Sequence, residues 1–277
     1  MGAMSAQLTV AVISAAVALV SIVLSASNTR SNIKLQAKLQ AAEEQRREKA
    51  STESRLKEIV SRYQNPLLSA AYELQSRLYN LLEGDFDVYI QSNDPENQTY
   101  AVNSTLFVLA QYLAWAEALR EGIQFLDLGD AERNKGLAEH LETIRHTLAT
   151  DRDFTASCFR IFRVDQRAIG ELMLEEAKLD DQSSDIRWHC TGYASFCSER
   201  EENDKFTTWF ARLDHDVRQL PNNKDSARPR LAALQNSLVD IINFLDEKHV
   251  SFPQEYLSTV DMSPQITQPG SDGQIRP

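Results

Sequence analysis

Apolar residues recur along most of this 277-residue chain at intervals of three and four, and the pattern changes character at both ends. Near the N terminus it condenses into one run. From Leu8 to Ala26 only Thr9, Ser14, Ser21 and Ser25 interrupt apolar and small side chains, and the first charge is Arg30. About 19 helical residues rise roughly 28 Å, close to the hydrocarbon thickness of a bilayer. The run predicts a single transmembrane helix, with residues 1–29 forming the anchor and a short external tail. Ser25-Ala26-Ser27 has the small-residue spacing of a signal cleavage site, but a secretory signal carries basic residues ahead of its apolar core, and residues 1–5 hold none.

Ser31 to Arg62 contains no Gly or Pro and is rich in Ala, Gln, Glu, Lys and Arg, which are strong helix formers. Residues 30–62 are therefore expected as a charged helical stalk. Ile33, Leu35, Leu39 and Ala42 begin a seam that would pair two stalks into a homodimer. From Glu43 to Arg55, however, only Ala50 continues it. Asn65-Pro66 reads as a helix start, with Asn as cap and Pro at the first helical position. Leu67, Ala71, Leu74, Leu78 and Leu81 follow at helical spacing, with Tyr72 and Tyr79 one heptad apart, until Glu83-Gly84 ends the pattern. A polar loop is expected from Asp85 to Thr99.

Further stripes run through Leu106, Leu109, Leu113, Ala116, Leu119 and Ile123, and, after a break at Gly129-Asp130, through Leu137, Leu141, Ile144 and Leu148. Phe159, Phe162, Ile169 and Met173 keep helical register but place Gln166 in the seam. Two regular stripes close the series: Phe206, Phe210, Leu213, Val217 and Leu220, then Leu231, Leu234, Leu238, Ile241 and Leu245. Ile186 to Phe196 has no clear period, leaving a long loop from Leu179 to Asp204, and long loops in compact domains often carry function. No strand alternation of useful length appears. The expected fold is all-α: a single N-terminal transmembrane helix, the stalk, then a multi-helix bundle over residues 63–252. Residues 253–277 turn to Ser, Pro, Gln and Gly and are expected to be a disordered tail.

Charge divides along the chain. Through Arg62 there are nine basic and five acidic residues, net +4, which leaves −15 for the remainder of a chain whose total is −11. Basic residues Arg30, Lys34, Lys38, Arg46, Arg47 and Lys49 follow the apolar run and none precedes it, so the body is expected in the cytoplasm. Asn97-Gln98-Thr99 and Asn103-Ser104-Thr105 are N-glycosylation triplets that would be used only on the other side of a secretory membrane. The acidic body argues against nucleic acid as a partner. Three cysteines, Cys158, Cys190 and Cys197, do not make a disulfide framework.

The segments Arg62-Tyr63 with Pro66-Leu67-Leu68, Ala70-Ala71-Tyr72-Glu73-Leu74-Gln75-Ser76-Arg77-Leu78-Tyr79-Asn80, Ser104-Thr105-Leu106-Phe107-Val108, Gln124-Phe125-Leu126-Asp127-Leu128-Gly129, and Gln166-Arg167-Ala168-Ile169-Gly170-Glu171 resemble a family of bacterial membrane-anchored all-helical proteins. The resemblance spans roughly residues 60 to 250. It implies a single-pass protein of a bacterial inner membrane and carries no known activity.

Candidate chemistry is sparse. His215-Asp216, with His189 upstream and Asp240 downstream, has the order of a His, His-Asp, Asp metal-dependent phosphohydrolase site. A single His-Asp pair is equally well a solvated helix face. His189, Cys190 and Cys197 hint at zinc but lack a second ligand pair. Arg77, Gln111, Arg167 and Glu171 are polar residues inside apolar stretches and form a candidate buried polar cluster, which would have to pair internally. No Walker loop, nucleophile elbow, dinucleotide turn or H-E-x-x-H is present, so no cofactor is expected. Two functions follow. One is a membrane-tethered helical interaction or scaffold module with a protein partner, held in the bilayer by residues 8–26. The other is a His-Asp hydrolase acting near the membrane.

Overall fold

The computed structural model describes residues 34, 36–54, 58, 60–122, 131–154, 156–177 and 187–262. The chain divides into two compact units, Met1–Lys57 and Glu58–Pro277. In the first, residues 36–54 form helix α1, exposed along its whole length, because no sustained apolar stripe asks for a partner surface. The expected transmembrane run Leu8–Ala26 lies outside the described residues. Among the described residues, no helix is long and apolar enough to cross a membrane.

The second unit is a helical bundle. Its helices are α2 (Asn65–Leu82), α3 (Asp87–Ile90), α4 (Pro95–Gly122), α5 (Ala131–Ala149), α6 (Arg163–Leu172), α7 (Tyr193–Glu202) and α8 (Asp204–Leu245). The predicted stripes become its core: α2 lays Leu67, Ala71, Leu74, Leu78 and Leu81 against α4 and α8, and Ile144 and Leu148 of α5 also face α8. A short hairpin, β1 (Leu174–Ala177) and β2 (Arg187–Cys190), adds the one departure from an all-α fold among the described residues, with Leu174 opposite Cys190 and Glu175 opposite His189. The predicted loop from Leu179 to Asp204 is thus largely structured: beyond residues 178–186, outside the described set, it forms β2 and α7. Four-residue strands are too short to show alternation.

Other boundaries shift for physical reasons. Asn65 is not a cap; α2 continues from a π-helical turn, Val60–Gln64, just ahead of Pro66. Proline has no N–H and its ring crowds the carbonyl four residues back, so a widened turn there relieves both conditions. The polar loop after Gly84 is shorter than expected, since α3 forms within it and Asp94 starts α4 by accepting from Glu96 N at 3.0 Å. The 159–173 stripe becomes helix only from Arg163; Phe162 is 49% exposed, and Phe159 sits at φ 55° with its N–H donating to Asp216 Oδ2 at 2.8 Å. The last two stripes belong to one helix, α8, kinked near Pro221 where Asn223 leaves helical geometry (φ −124°, ψ 19°). The break at Gly129-Asp130 falls in residues 123–130, outside the described set.

The tail expectation fails for residues 253–262. Leu257 and Val260 are buried, and side-chain amides bind the strap's backbone: Gln75 Nε2 to Tyr256 O (3.3 Å), Gln235 Nε2 to Ser258 O (2.8 Å), and Asn236 reciprocally to Val260 O and N (3.0 and 2.9 Å). Phe252 stacks on Tyr72 at 4.0 Å. Polar composition alone suggests disorder here; the interior amides of α2 and α8 supply the partners that order it. Residues 263–277 lie outside the described set.

Two buried arginines flank Pro229. Arg228 donates to Leu82 O at 3.3 Å and Asp261 O at 3.1 Å and pairs with Glu83, closing the C-terminal end of α2. Arg230, 1% exposed, donates to Thr147 O (2.7 Å), Leu148 O (3.4 Å), Thr150 O (2.9 Å) and Ala156 O (3.4 Å). Helix C-termini leave carbonyls without partners and carry a negative partial charge, so a cation at each end satisfies both.

Candidate functional site

A close helix–helix contact borders one concavity. Gly170 of α6 lies against α4 so tightly that a Cβ there would meet Leu113 O at 2.7 Å and Glu117 Cβ at 3.0 Å. Beside it lies a groove of about 310 Å³ between α4, α5 and α6, with Leu113, Ala116, Ala138 and Leu141 as apolar lining. Its polar wall holds three guanidiniums, Arg120, Arg145 and Arg167, against two carboxylates, Glu117 and Glu142.

Glu117 is 4% exposed by side chain and is gripped by Arg120, whose Nε lies 2.9 and 2.8 Å from its two oxygens. That hydrogen bond is the first cause holding the Arg120 cation above its ordinary value. Glu142 accepts from Arg163 Nη2 at 2.5 Å, which holds its carboxyl below the usual range. Arg145 and Arg167 are engaged differently. Arg145 approaches Glu142 only to 3.5 Å, and Arg167 approaches Glu117 to 3.5 Å and Glu171 to 3.8 Å, ion-pair distances longer than good hydrogen bonds.

Gln166 completes the groove. It is 3% exposed, and its Nε2 donates to Arg145 O (3.1 Å) and Ile161 O (2.8 Å). Two carbonyl acceptors require the amide NH₂ on that side, so the orientation of the side chain is fixed by chemistry. Its Oε1 is consequently a buried acceptor without a hydrogen-bond partner.

A second concavity lies between α2 and the first half of α4. A cleft of about 270 Å³ is lined by Tyr72, Glu73, Ser76, Arg77, Asn80 and Val108. The Arg77 guanidinium carbon sits 3.9 Å from the Phe86 ring centroid, a cation–π geometry, and its Nη1 is buried without a hydrogen-bond partner. Burial pushes this cation down and Tyr100 opposes the shift; burial likewise raises the Glu73 carboxyl. Phe86 also meets Tyr89 (5.5 Å) and Tyr100 (6.5 Å), and Phe107 meets Tyr193 (5.3 Å) and Phe196 (5.5 Å). Tyr89 and Tyr100 are 46% and 49% exposed, and Val88 beside them 62%. The Tyr193 hydroxyl is pushed up to about 12, by burial first and then by Cys197.

The candidate polar cluster therefore divides. Arg167 and Glu171 stand at the α4–α5–α6 groove, Arg77 in the aromatic cleft, and Gln111, half-buried on α4 with an unpaired Oε1, lines neither. Arg77 lies over the Phe86 ring while Glu171 approaches Arg167, so the four do not pair as one cluster. The groove residues overlooked in the sequence, Glu117, Arg120, Glu142 and Arg145, left a trace as i,i+3 acid–base pairs, a spacing shared with many solvated helix faces.

The hydrolase set is not assembled. His189 lies on β2, His215 and Asp216 lie on the first half of α8, and Asp240 lies exposed on its second half. Asp216 is engaged with the Phe159 backbone, and among the described residues no group of three or more His, Cys, Asp or Glu is placed to hold a metal ion. The three cysteines are free, and burial pushes Cys190 up to about 12. Asn103 of the second glycosylation triplet is buried, donating to Cys197 Sγ at 3.7 Å and accepting from Arg200 Nη1 at 3.0 Å. No protein-family model matches the chain, and neither a curated protein nor a solved structure is similar to it.

Proposed function

We propose that this chain is a membrane-tethered helical interaction module, anchored through residues 8–26 with its body in the cytoplasm, that presents the aromatic corner of α3, α4 and α7 to a protein partner. The observation that carries the reading is the exposed group of Val88, Tyr89 and Tyr100 set against the half-buried Arg77 cation. Tyrosine and arginine dominate the energetics of protein interfaces because they join large contact area to a polar handle, and contiguous apolar surface marks such sites. The basic flank after Leu8–Ala26 supports a cytoplasmic body. The internal bonding of Asn103 removes one of the two glycosylation triplets that spoke against it. A basic stalk ahead of an acidic body would hold that body off an anionic leaflet, a geometry suited to presentation. The all-exposed α1 leaves Leu39 and Ala42 free to pair two stalks, and the resemblance to bacterial inner-membrane proteins fits this architecture.

Copurification tests the reading. The full chain is extracted from its native membrane in mild detergent, beside a Tyr89→Ala/Tyr100→Ala variant. A stoichiometric protein partner that is retained by the parent and lost by the variant is the expected result. A partner held equally by both, or none at all after cross-linking in the intact membrane, contradicts it.

A further inference from the structure

We propose that two copies of this chain pair by exchanging their straps, residues 252–262 of each seating between α2 and α8 of the other. The exchange leaves the aromatic corner free and does not depend on what docks there.

The seat of the strap reads main chain. Gln75 donates to Tyr256 O (3.3 Å), Gln235 to Ser258 O (2.8 Å) and Arg228 Nε to Asp261 O (3.1 Å), while Asn236 donates to Val260 O (3.0 Å) and accepts from Val260 N (2.9 Å). All five bonds fall on the strap's backbone, and Leu257 and Val260 are its buried side chains. Phe252, stacked on Tyr72 at 4.0 Å, travels with them. The strap of an identical chain makes every one of these contacts without any change in the seat, so closed and exchanged forms differ only in the hinge and in the cost of association.

The hinge supplies the reason to exchange. The strap's partners step back along α8 from Gln235 and Asn236 to Arg228, so the chain reverses direction between Leu245 and Phe252. His249 stands in this reversal at φ 49°, a left-handed conformation that its β-carbon disfavours. Its Nδ1 is also buried without a hydrogen-bond partner. Both costs vanish when the hinge extends. Asp246 opposes them, its carboxylate accepting from the N–H groups of Val250 (2.9 Å), Ser251 (2.8 Å) and Phe252 (3.0 Å). Val250 is 82% exposed in the closed turn, and two extended hinges lying side by side across a symmetry axis give it an apolar neighbour. Short hinges under strain are the ones that favour such exchange.

Differently tagged pools of the full chain, mixed in mild detergent and captured through one tag, test the proposal. Leu257→Asp/Val260→Asp spoils the strap and spares its seat, whereas Asn236→Arg fills the seat and spares the strap. Either variant alone should capture copies of itself about tenfold less than the mixture of the two captures, because only the mixture holds a sound strap and an open seat on different copies. Misfolding cannot produce that rescue. In the otherwise native chain, His249→Gly should lower co-capture about tenfold and Asp246→Ala should raise it by a similar factor, since the first relaxes the closed hinge and the second removes what holds it. Rescue in the mixture, with the two hinge variants moving in opposite directions, is the expected result. A mixture no better than either variant alone, or hinge variants that leave co-capture unchanged as pairing through the stalk would, overturns the proposal. Tyr89→Ala/Tyr100→Ala leaves the exchange unaltered, so this inference and the partner reading fail separately.

Discussion

Along α8, Arg230 donates to four backbone carbonyls and reaches solvent with only 1% of its surface. At the groove, Arg145 and Arg167 stand 37% and 46% exposed and touch carboxylates only at 3.5 Å. The same side chain has opposite degrees of engagement. In the first place both terminal nitrogens of the guanidinium donate to carbonyls at and beyond the end of α5, while Nε is buried without a partner. In the second, acids position the fork without saturating it. The difference separates arginines that hold the fold from arginines left with capacity for something outside it.

The largest expected effect comes from breaking the first kind. Arg230→Met keeps the volume and strips partners from the carbonyls of residues 147, 148, 150 and 156. We expect a loss of about 3 kcal/mol, visible as a lower midpoint in urea denaturation. Next comes Gly170→Ala, whose Cβ has nowhere to go between Leu113 O and Glu117. Pushing α6 off α4 should cost about 2 kcal/mol in the same assay. Releasing the strap is milder. Asn236→Ala removes both bonds to Val260 and should cost about 1 kcal/mol, with faster protease cleavage within residues 253–262 as the more sensitive readout.

Acidification offers a smaller and sign-specific effect. Burial raises the Asp246 carboxyl, but backbone N–H donors from Phe252, Val250 and Ser251 outweigh it and hold the group below its ordinary 3.8. A lowered carboxyl contributes stability that is complete above its unfolded value and is lost as pH falls through its folded value. Stability measured across about pH 5 to about pH 2 should therefore fall further in the parent than in Asp246→Asn, by about 1 kcal/mol.

Legibility followed the side chains. The apolar faces of α2, α4, α5 and α8 were readable because burial imposes a period near 3.6, and Leu67, Leu74, Leu113, Ile144 and Leu238 are core residues as their spacing predicts. What escaped were structures made by polar residues reaching across the fold. Gln75, Gln235 and Asn236 order a strap whose own composition suggests disorder, and Arg228 and Arg230 look like surface charge beside a helix-breaking Pro229. Their partners lie far away in sequence, where no periodicity records them. The groove was half-visible for the same reason: Gln166 stood out as polar within an apolar stripe, and Arg167 with Glu171 as a charged pair, but Glu117 and Arg145 come from other helices. Arg77 had the signal of a cluster member and belongs instead to an aromatic cleft, because the face of the Phe86 ring also attracts a cation.

The contrast between the two sets of arginines is tested most directly by Arg145→Gln/Arg167→Gln in the full chain, measured in urea denaturation beside Arg230→Met. Unfolding within about 0.5 kcal/mol of the parent, as for exposed ion pairs, is the predicted result. A drop in stability approaching that of Arg230→Met would contradict it.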